Sequence, residues 1–266
     1  MAKENQGEYM IDIEKAKLEF DNYAKKYDME DETINRKYYH TYRVMKISGE
    51  IAKSLNLSEE EVELAKVIGL LHDIARFEQY KKFQTFSDLK SFDHGDYGAE
   101  ILKKDNFIRK FVENNQYDSI IIKAVKNHNK FKIEKGLTQN ELLYSKIVRD
   151  ADKLDIYYEI LTMFYKDPKE VNELENEIID NNTLEQIVKH ETIVKKPNAR
   201  SIDHFILIIC LIFDLNFKYS FEIMCKEEYI NKIIDKFDFK NQDTKDKMEK
   251  IKEELNNYIK LQLNIN

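Results

Sequence analysis

Residues 66–77 read KVIGLLHDIARF. Val67, Ile68, Leu70 and Leu71 make an apolar run that ends abruptly on His72-Asp73. Eight residues upstream of Lys66, Ser58-Glu59-Glu60-Glu61 has the form of a capping box, a hydroxyl N-cap with a glutamate three residues on. The helix it opens carries Leu64, Val67, Ile68 and Leu71 at i, i+3, i+4 and i+7, the spacing of one buried helical face. A histidine and a carboxylate therefore stand at the inner end of a helix. Adjacent residues do not share one face of a regular helix. At a helix end the backbone can turn, so both side chains can reach one ion, or the aspartate can bridge two.

Outward from this stretch the chain reads as helix throughout. Over Thr33–Ser54, Val44, Ile47 and Ile51 form a stripe, with His40 at its head by i+4, i+7 and i+11. Residues 75–95 hold Gln79, Thr85, Ser87, Asp93 and Gly95 and read as an irregular loop. Helices are expected near 96–104 and 117–130, with His128 following Ile121 and Val125 on one face. Thr138 and Glu141 cap a long helix running to about Tyr165, which Asp167-Pro168 is expected to end. Shorter helices follow, with an apolar one over 201–225 and a charged one near 240–264.

The 266-residue chain is 35% charged and 42% hydrophobic with 12% aromatic residues, a mix that excludes a disordered polymer. Six glycines and two prolines are too few for a turn-rich β-sandwich. A net charge of −7 without a basic patch argues against long nucleic acid as a partner. Cys210 and Cys225 form no CxxC, so neither a disulfide scaffold nor a thiolate metal site is expected. The first residues contain no apolar signal segment. The longest apolar run, Phe205–Phe213, is 9 residues long, well short of the roughly 20 a membrane span needs. The chain is expected to be cytoplasmic and free of membrane.

His40, His128 and Asp152 thus point to the apolar side of three separate helices. A buried carboxylate needs a partner or a cation, and imidazole with carboxylate suits Mn, Fe, Co, Ni or Zn better than calcium. The order His40, His72-Asp73, Asp152, with the strings HTYRV, LLHDIARF and VRDADKLD, resembles the HD superfamily of metal-dependent phosphohydrolases, over about residues 35–160. Within that superfamily the chain is similar to the bacterial HD hydrolases with an HDIxRF-type string. The resemblance implies a single all-α helical bundle. It sets an N-terminal helical segment at 1–30, an HD catalytic core at 31–167 and a C-terminal helical extension packed on the core at 168–266.

It also implies one divalent metal held by His40, His72, Asp73 and Asp152, with Asp73 as the catalytic carboxylate. Asp150 lies about 200° from Asp152 around the helix, so the two cannot serve one ion; it holds an outer hydrogen bond or faces solvent, and Asp155 is a further outer candidate. His94 and His128 fall where two-metal members place two more histidines, so they are either ligands of a second ion or pocket residues that bind phosphate. Arg43 and Arg76, three and four residues past His40 and His72, are candidate phosphate-binding arginines. Lys126 and Lys130 flank His128. His190 is expected to be exposed and His204 to be a core or capping residue.

The expected function is hydrolysis of a small phosphorylated metabolite, a nucleotide foremost. The alternatives are a dinuclear iron oxygenase of the HD type and a non-catalytic nucleotide sensor. The alarmone hydrolases carry Glu-Asp where this chain has Arg76-Phe77, the deoxynucleoside monophosphatases carry Glu at Arg76, and the Gly-Tyr-Pro string of the cyclic-dinucleotide branch is missing. None of those specificities transfers. Homo-oligomerisation stays open.

Overall fold

The computed structural model describes residues 11–190 and 199–265, so residues 1–10 of the segment expected at 1–30 lie outside it. Among the described residues the regular elements are all helical and no strand is present: α1 (Ile13–Ala24), α2 (Glu32–Ser54), α3 (Glu59–Leu71), α4 (Ile74–Phe83), α5 (His94–Lys103), α6 (Asp118–Asn127), α7 (Gln139–Thr162), α8 (Pro168–Asn176), α9 (Asn181–Val188), α10 (Ser201–Ile209), α11 (Lys218–Lys226), α12 (Tyr229–Ile234) and α13 (Gln242–Leu263). The all-α class is as expected. The chain divides into two compact units, Met1–Asp152 and Lys153–Asn266.

In the first unit α3 is the central helix. Val62, Leu64, Ala65, Val67, Ile68, Gly69, Leu70 and Leu71 are all buried, so apolar contacts surround most of its circumference. Its start is the capping box: the Glu61 N–H donates to Ser58 Oγ at 3.4 Å, and the Ser58 N–H donates to Glu61 Oε2 at 2.8 Å. α2 crosses it closely because Gly69 has no side chain. A Cβ there would lie 2.7 Å from Ser48 Oγ and 2.8 Å from Met45 Cα. α1 is tied to the same core by Phe20, whose ring is 5.8 Å from that of Phe77, and by the Tyr23 hydroxyl, which donates to the Ile74 carbonyl at 3.1 Å.

The segment 75–95 differs from the loop expected of it. α4 occupies Ile74–Phe83, and irregular backbone begins only at Gln84, which adopts a left-handed φ of 52°. Ile74, Ala75 and Phe77 are fully buried and supply the packing face. Gln79, counted as a loop signal, is a good helix former. It is buried and donates to Asp88 Oδ1, Ser91 Oγ and the Phe92 carbonyl at 2.9, 2.8 and 3.1 Å. α5 then starts at His94, with the Asp93 side chain as its N-cap.

The second unit corrects two further expectations. Asp167-Pro168 begins a helix and does not end one: Asp167 caps α8 and Pro168 sits at its first position, where the missing N–H costs nothing, while α7 has already ended at Thr162. The apolar stretch 201–225 is not one helix. α10 gives way to a 3-10 turn at Cys210–Asp214 and an extended Leu215 before α11. The charged C-terminal helix is α13, which buries Met248, Ile251, Leu255, Ile259 and Leu263 along one stripe. His190 is half-buried, with Nε2 2.7 Å from Glu254 Oε1 and its ring against Tyr258, so the exposed position expected of it is only partly met. His204 is half-buried on α10. No described helix is long and apolar enough to cross a membrane.

Candidate metal centre

Helix ends and turns of the first unit bring six side chains together. His40 comes from the middle of α2. His72 continues α3 with helical backbone (φ −55°, ψ −42°), whereas Asp73 leaves it (φ −103°, ψ 18°), and α4 restarts at Ile74. That one-residue break swings the carboxylate round to the side on which His72 points. His94 is the first residue of α5, and His128 is the C-cap of α6. Arg149 on α7 fixes the end of α6, donating from Nη1 to the carbonyls of Asn127, His128 and Lys130 at 2.9, 3.2 and 2.6 Å. Asp152 lies on α7, less than one turn beyond Arg149.

The six groups form two halves that share Asp73. On one side, Asp73 Oδ2 is 3.5 Å from both His40 Nε2 and His72 Nε2, and these two nitrogens are 3.2 Å apart. Asp152 Oδ1 completes this half, 3.2 Å from His40 Nε2 and 3.7 Å from His72 Nε2. On the other side, Asp73 Oδ1 is 3.4 Å from His94 Nε2 and 3.5 Å from His128 Nε2, which are 2.9 Å from each other. All these groups except Asp152, whose side chain is 19% exposed, are almost wholly buried. His40, His72 and Asp73 are one group able to hold an ion, and Asp73, His94 and His128 are another.

The chemistry of the donors fits such an ion. The Nδ1 atoms of His72 and His128 lie 2.7 Å from the carbonyl oxygens of Gly69 and Val125, and His94 Nδ1 lies 2.7 Å from Asp88 Oδ2. Those oxygens only accept, so each Nδ1 carries the proton and each Nε2 turns a bare lone pair into the cluster. Two bare nitrogens 2.9 Å apart repel each other unless a cation lies between them. Donors at about 2.0–2.1 Å from a first-row ion stand about 2.9–3.4 Å apart for right-angled to tetrahedral arrangements; the closest pairs of each half lie in that range and the others exceed it by 0.1–0.3 Å.

The ionisation states agree. Burial pushes the Asp73 carboxyl up, but the Lys37 ammonium and the surrounding imidazoles outweigh it and hold the group well below the usual carboxylate range. Asp152 is likewise lowered, its burial outweighed by His40 and His72. Burial disfavours the imidazolium of His72, and it lowers that of His94 to about 4 with help from the Arg76 charge. The set is therefore two carboxylates and at least two neutral imidazoles at neutral pH, the forms that bind metal.

The structure also places residues that the sequence reading passed over. Lys37, one turn before His40 on α2, puts Nζ 2.8 Å from Asp73 Oδ2 and 5.7 Å from the centre of the Phe86 ring. Its spacing of three from His40 was the available signal. Asp88 opens a single 3-10 turn, Asp88–Lys90, too short for any periodicity to announce a side chain's direction. Arg76 lies at the cluster edge, with Nε 3.4 Å from Asp73 Oδ1. Its Nη1 is engaged by Gln79 Oε1, the Phe86 carbonyl and Asp88 Oδ1 at 2.7, 2.6 and 3.0 Å. Arg43 is half-buried on α2. Asp150 is fully buried, which excludes the solvent-facing alternative, and Asp155 is buried as well. Of the aromatic side chains, Phe77 is core while Phe83 is 45% exposed, and Tyr80 pairs with Phe86 at 5.2 Å.

Comparison with family models matches residues 38–157 to the HD domain. The chain carries an HD domain. The match spans His40, His72-Asp73, His94, His128 and Asp152. No curated protein and no solved structure matches the chain. HD domains are generally metal-dependent phosphohydrolases that bind divalent ions, and the buried histidine and aspartate cluster of this HD domain is able to hold metal. A metal-dependent, hydrolase-type function is the reading at that level.

Proposed function

We propose that the protein hydrolyses a small phosphorylated metabolite, foremost a nucleotide, with two divalent transition-metal ions that the two halves of the cluster would hold, Asp73 belonging to both. One observation carries the reading: each oxygen of the Asp73 carboxylate faces its own pair of imidazole nitrogens. His40, His72 and Asp152 would hold the first ion with Asp73, and His94 and His128 the second. Ions bound there supply Lewis acidity, lowering the pKa of a bound water toward neutrality and polarising a phosphoryl oxygen.

The chain's own residues do the rest. Burial keeps the His72 and His94 imidazoles neutral and the neighbouring groups keep Asp73 and Asp152 ionised, so these four donors stand in the forms that bind metal. Lys37 is a cation at the cluster and is proposed to pair with a phosphoryl oxygen once its carboxylate partner is engaged. Arg76 and Arg43 are the proposed phosphate arginines. Arg76 has already committed Nη1 to the segment after α4, so it approaches substrate with the remaining edge of its guanidinium. The half-buried rings of Tyr80 and Phe86 are proposed to offer an apolar surface to the organic part of the substrate.

A screen of nucleotides and sugar phosphates with Mn²⁺, Co²⁺ and Fe²⁺, run with and without air, tests the proposal. Phosphate release that His72→Ala and Asp73→Ala abolish supports it. Dioxygen consumption that requires iron would replace it with the oxygenase reading. Ligand binding without turnover under every metal would leave a sensor.

A further inference from the structure

The three histidines whose Nδ1 partners are known are not held in the same way. His72 and His128 donate to carbonyls three residues earlier on their own chain, Gly69 and Val125, so helix geometry alone aims their Nε2 atoms inward. His94 has no preceding turn to supply a carbonyl, because it is the first residue of α5. Its N-cap neighbour Asp93 is used on the Asp96 N–H at 3.0 Å. The imidazole is oriented from outside the helix, by Asp88 Oδ2 at 2.7 Å.

Asp88 is itself held on both oxygens. Oδ1 accepts from Gln79 Nε2 at 2.9 Å and from Arg76 Nη1 at 3.0 Å, and Oδ2 accepts from Asn129 Nδ2 at 3.1 Å. Its side chain is 29% exposed, and of the six clustered side chains it pairs with His94. We propose that Asp88 is the positioning residue of the second half-site: it fixes the His94 ring with Nε2 facing Asp73 and so sets the affinity for the second ion, without governing the first. The inference rests on the dinuclear reading above. Outer-sphere carboxylates that orient a metal-ligating histidine are typically worth about 10–100-fold in metal affinity.

The test titrates the metal-stripped full chain with Co²⁺, following the visible absorption of bound cobalt and the heat of binding. Wild type, Asp88→Asn, Asp88→Ala and Ser91→Ala are compared. Nitrogen NMR of the metal-free proteins reads which ring nitrogen of His94 bears the proton. Wild type is expected to take two ions. Asp88→Ala should weaken the second by about 10–100-fold, keep the first at wild-type affinity and lose the His94 Nδ1–H signature. Asp88→Asn keeps an oxygen acceptor but no charge, so it should restore the signature and recover part of the affinity. Ser91→Ala removes one Gln79 contact from the same segment and should leave both ions unchanged. Equal weakening of both ions in Asp88→Ala, or a second ion bound as in wild type, overturns the assignment. A wild-type chain that binds only one ion would overturn the dinuclear reading itself.

Discussion

Because Asp73 presents one oxygen to each half-site, replacing it should cost two ions where replacing His94 costs one. The comparison is Asp73→Asn against His94→Ala, each melted with and without a divalent metal held at a hundred times its dissociation constant. One bound ion at that excess stabilises the folded state by about 2.7 kcal/mol, and two independent ions by about 5.4 kcal/mol. For a unit the size of Met1–Asp152, each kcal/mol moves the melting midpoint by about 2–4 °C. Metal should therefore raise the wild-type midpoint by about 11–22 °C, that of His94→Ala by about 5–11 °C, and that of Asp73→Asn by little. The quantity to compare is the difference made by metal. Without metal, Asp73→Asn also strands the Lys37 ammonium that the carboxylate holds at 2.8 Å, so its absolute midpoint drops for an unrelated reason. Calorimetric stoichiometry gives an independent count. If Asp73→Asn keeps half of the metal-dependent shift, the carboxylate belongs to one half-site alone and the bridging geometry is wrong.

Three other outcomes are expected. Gly69→Ala should destabilise the protein by about 1–3 kcal/mol, read from the denaturant midpoint, because the added methyl meets Ser48 Oγ and Met45 Cα at the α2–α3 crossing; an unchanged midpoint would mean that the two helices separate at no cost. Lys37→Met should lower kcat for phosphate release by about 100-fold while leaving metal stoichiometry intact; loss of metal instead would make Lys37 part of the structural frame. The metal-free protein should have its full stability above about pH 6.5 and lose it as the pH falls toward about 4. His94 is held to about 4 when folded, and His72 is lowered in the same sense, so the unfolded chain takes up protons first. Denaturation at several pH values checks this, and a flat profile across that window would refute it.

Much of this was legible because it rests on local spacing. The Ser58 capping box, the all-round apolar face of α3 and the His40–Val44–Ile51 stripe each follow from residues within a few turns of one another. The convergence of His40, His72-Asp73 and Asp152 followed from polar side chains on apolar faces, sharpened by the resemblance. What was not legible depends on side chains that act across the fold. Gln79 looked like loop chemistry because its partners, Asp88, Ser91 and Phe92, lie beyond the helix it belongs to. Asp167-Pro168 carries the same residues whether it stops one helix or starts the next, and only the position of Thr162 decides. Asp88 is the same case at the site: its value comes from His94 being first in its helix.

His40 lies on the second helix of the first unit and Asp152 is its last residue, and their side chains meet in the same half-site. A chain emerging from the ribosome can place His40 beside His72 early, but the half-site stays open on one side until α7 has been synthesised and docked. Ion capture at the proposed half-site would thus be a late event in biogenesis. An ion held there would fasten the second helix of the unit to its last residue, as a removable rivet would.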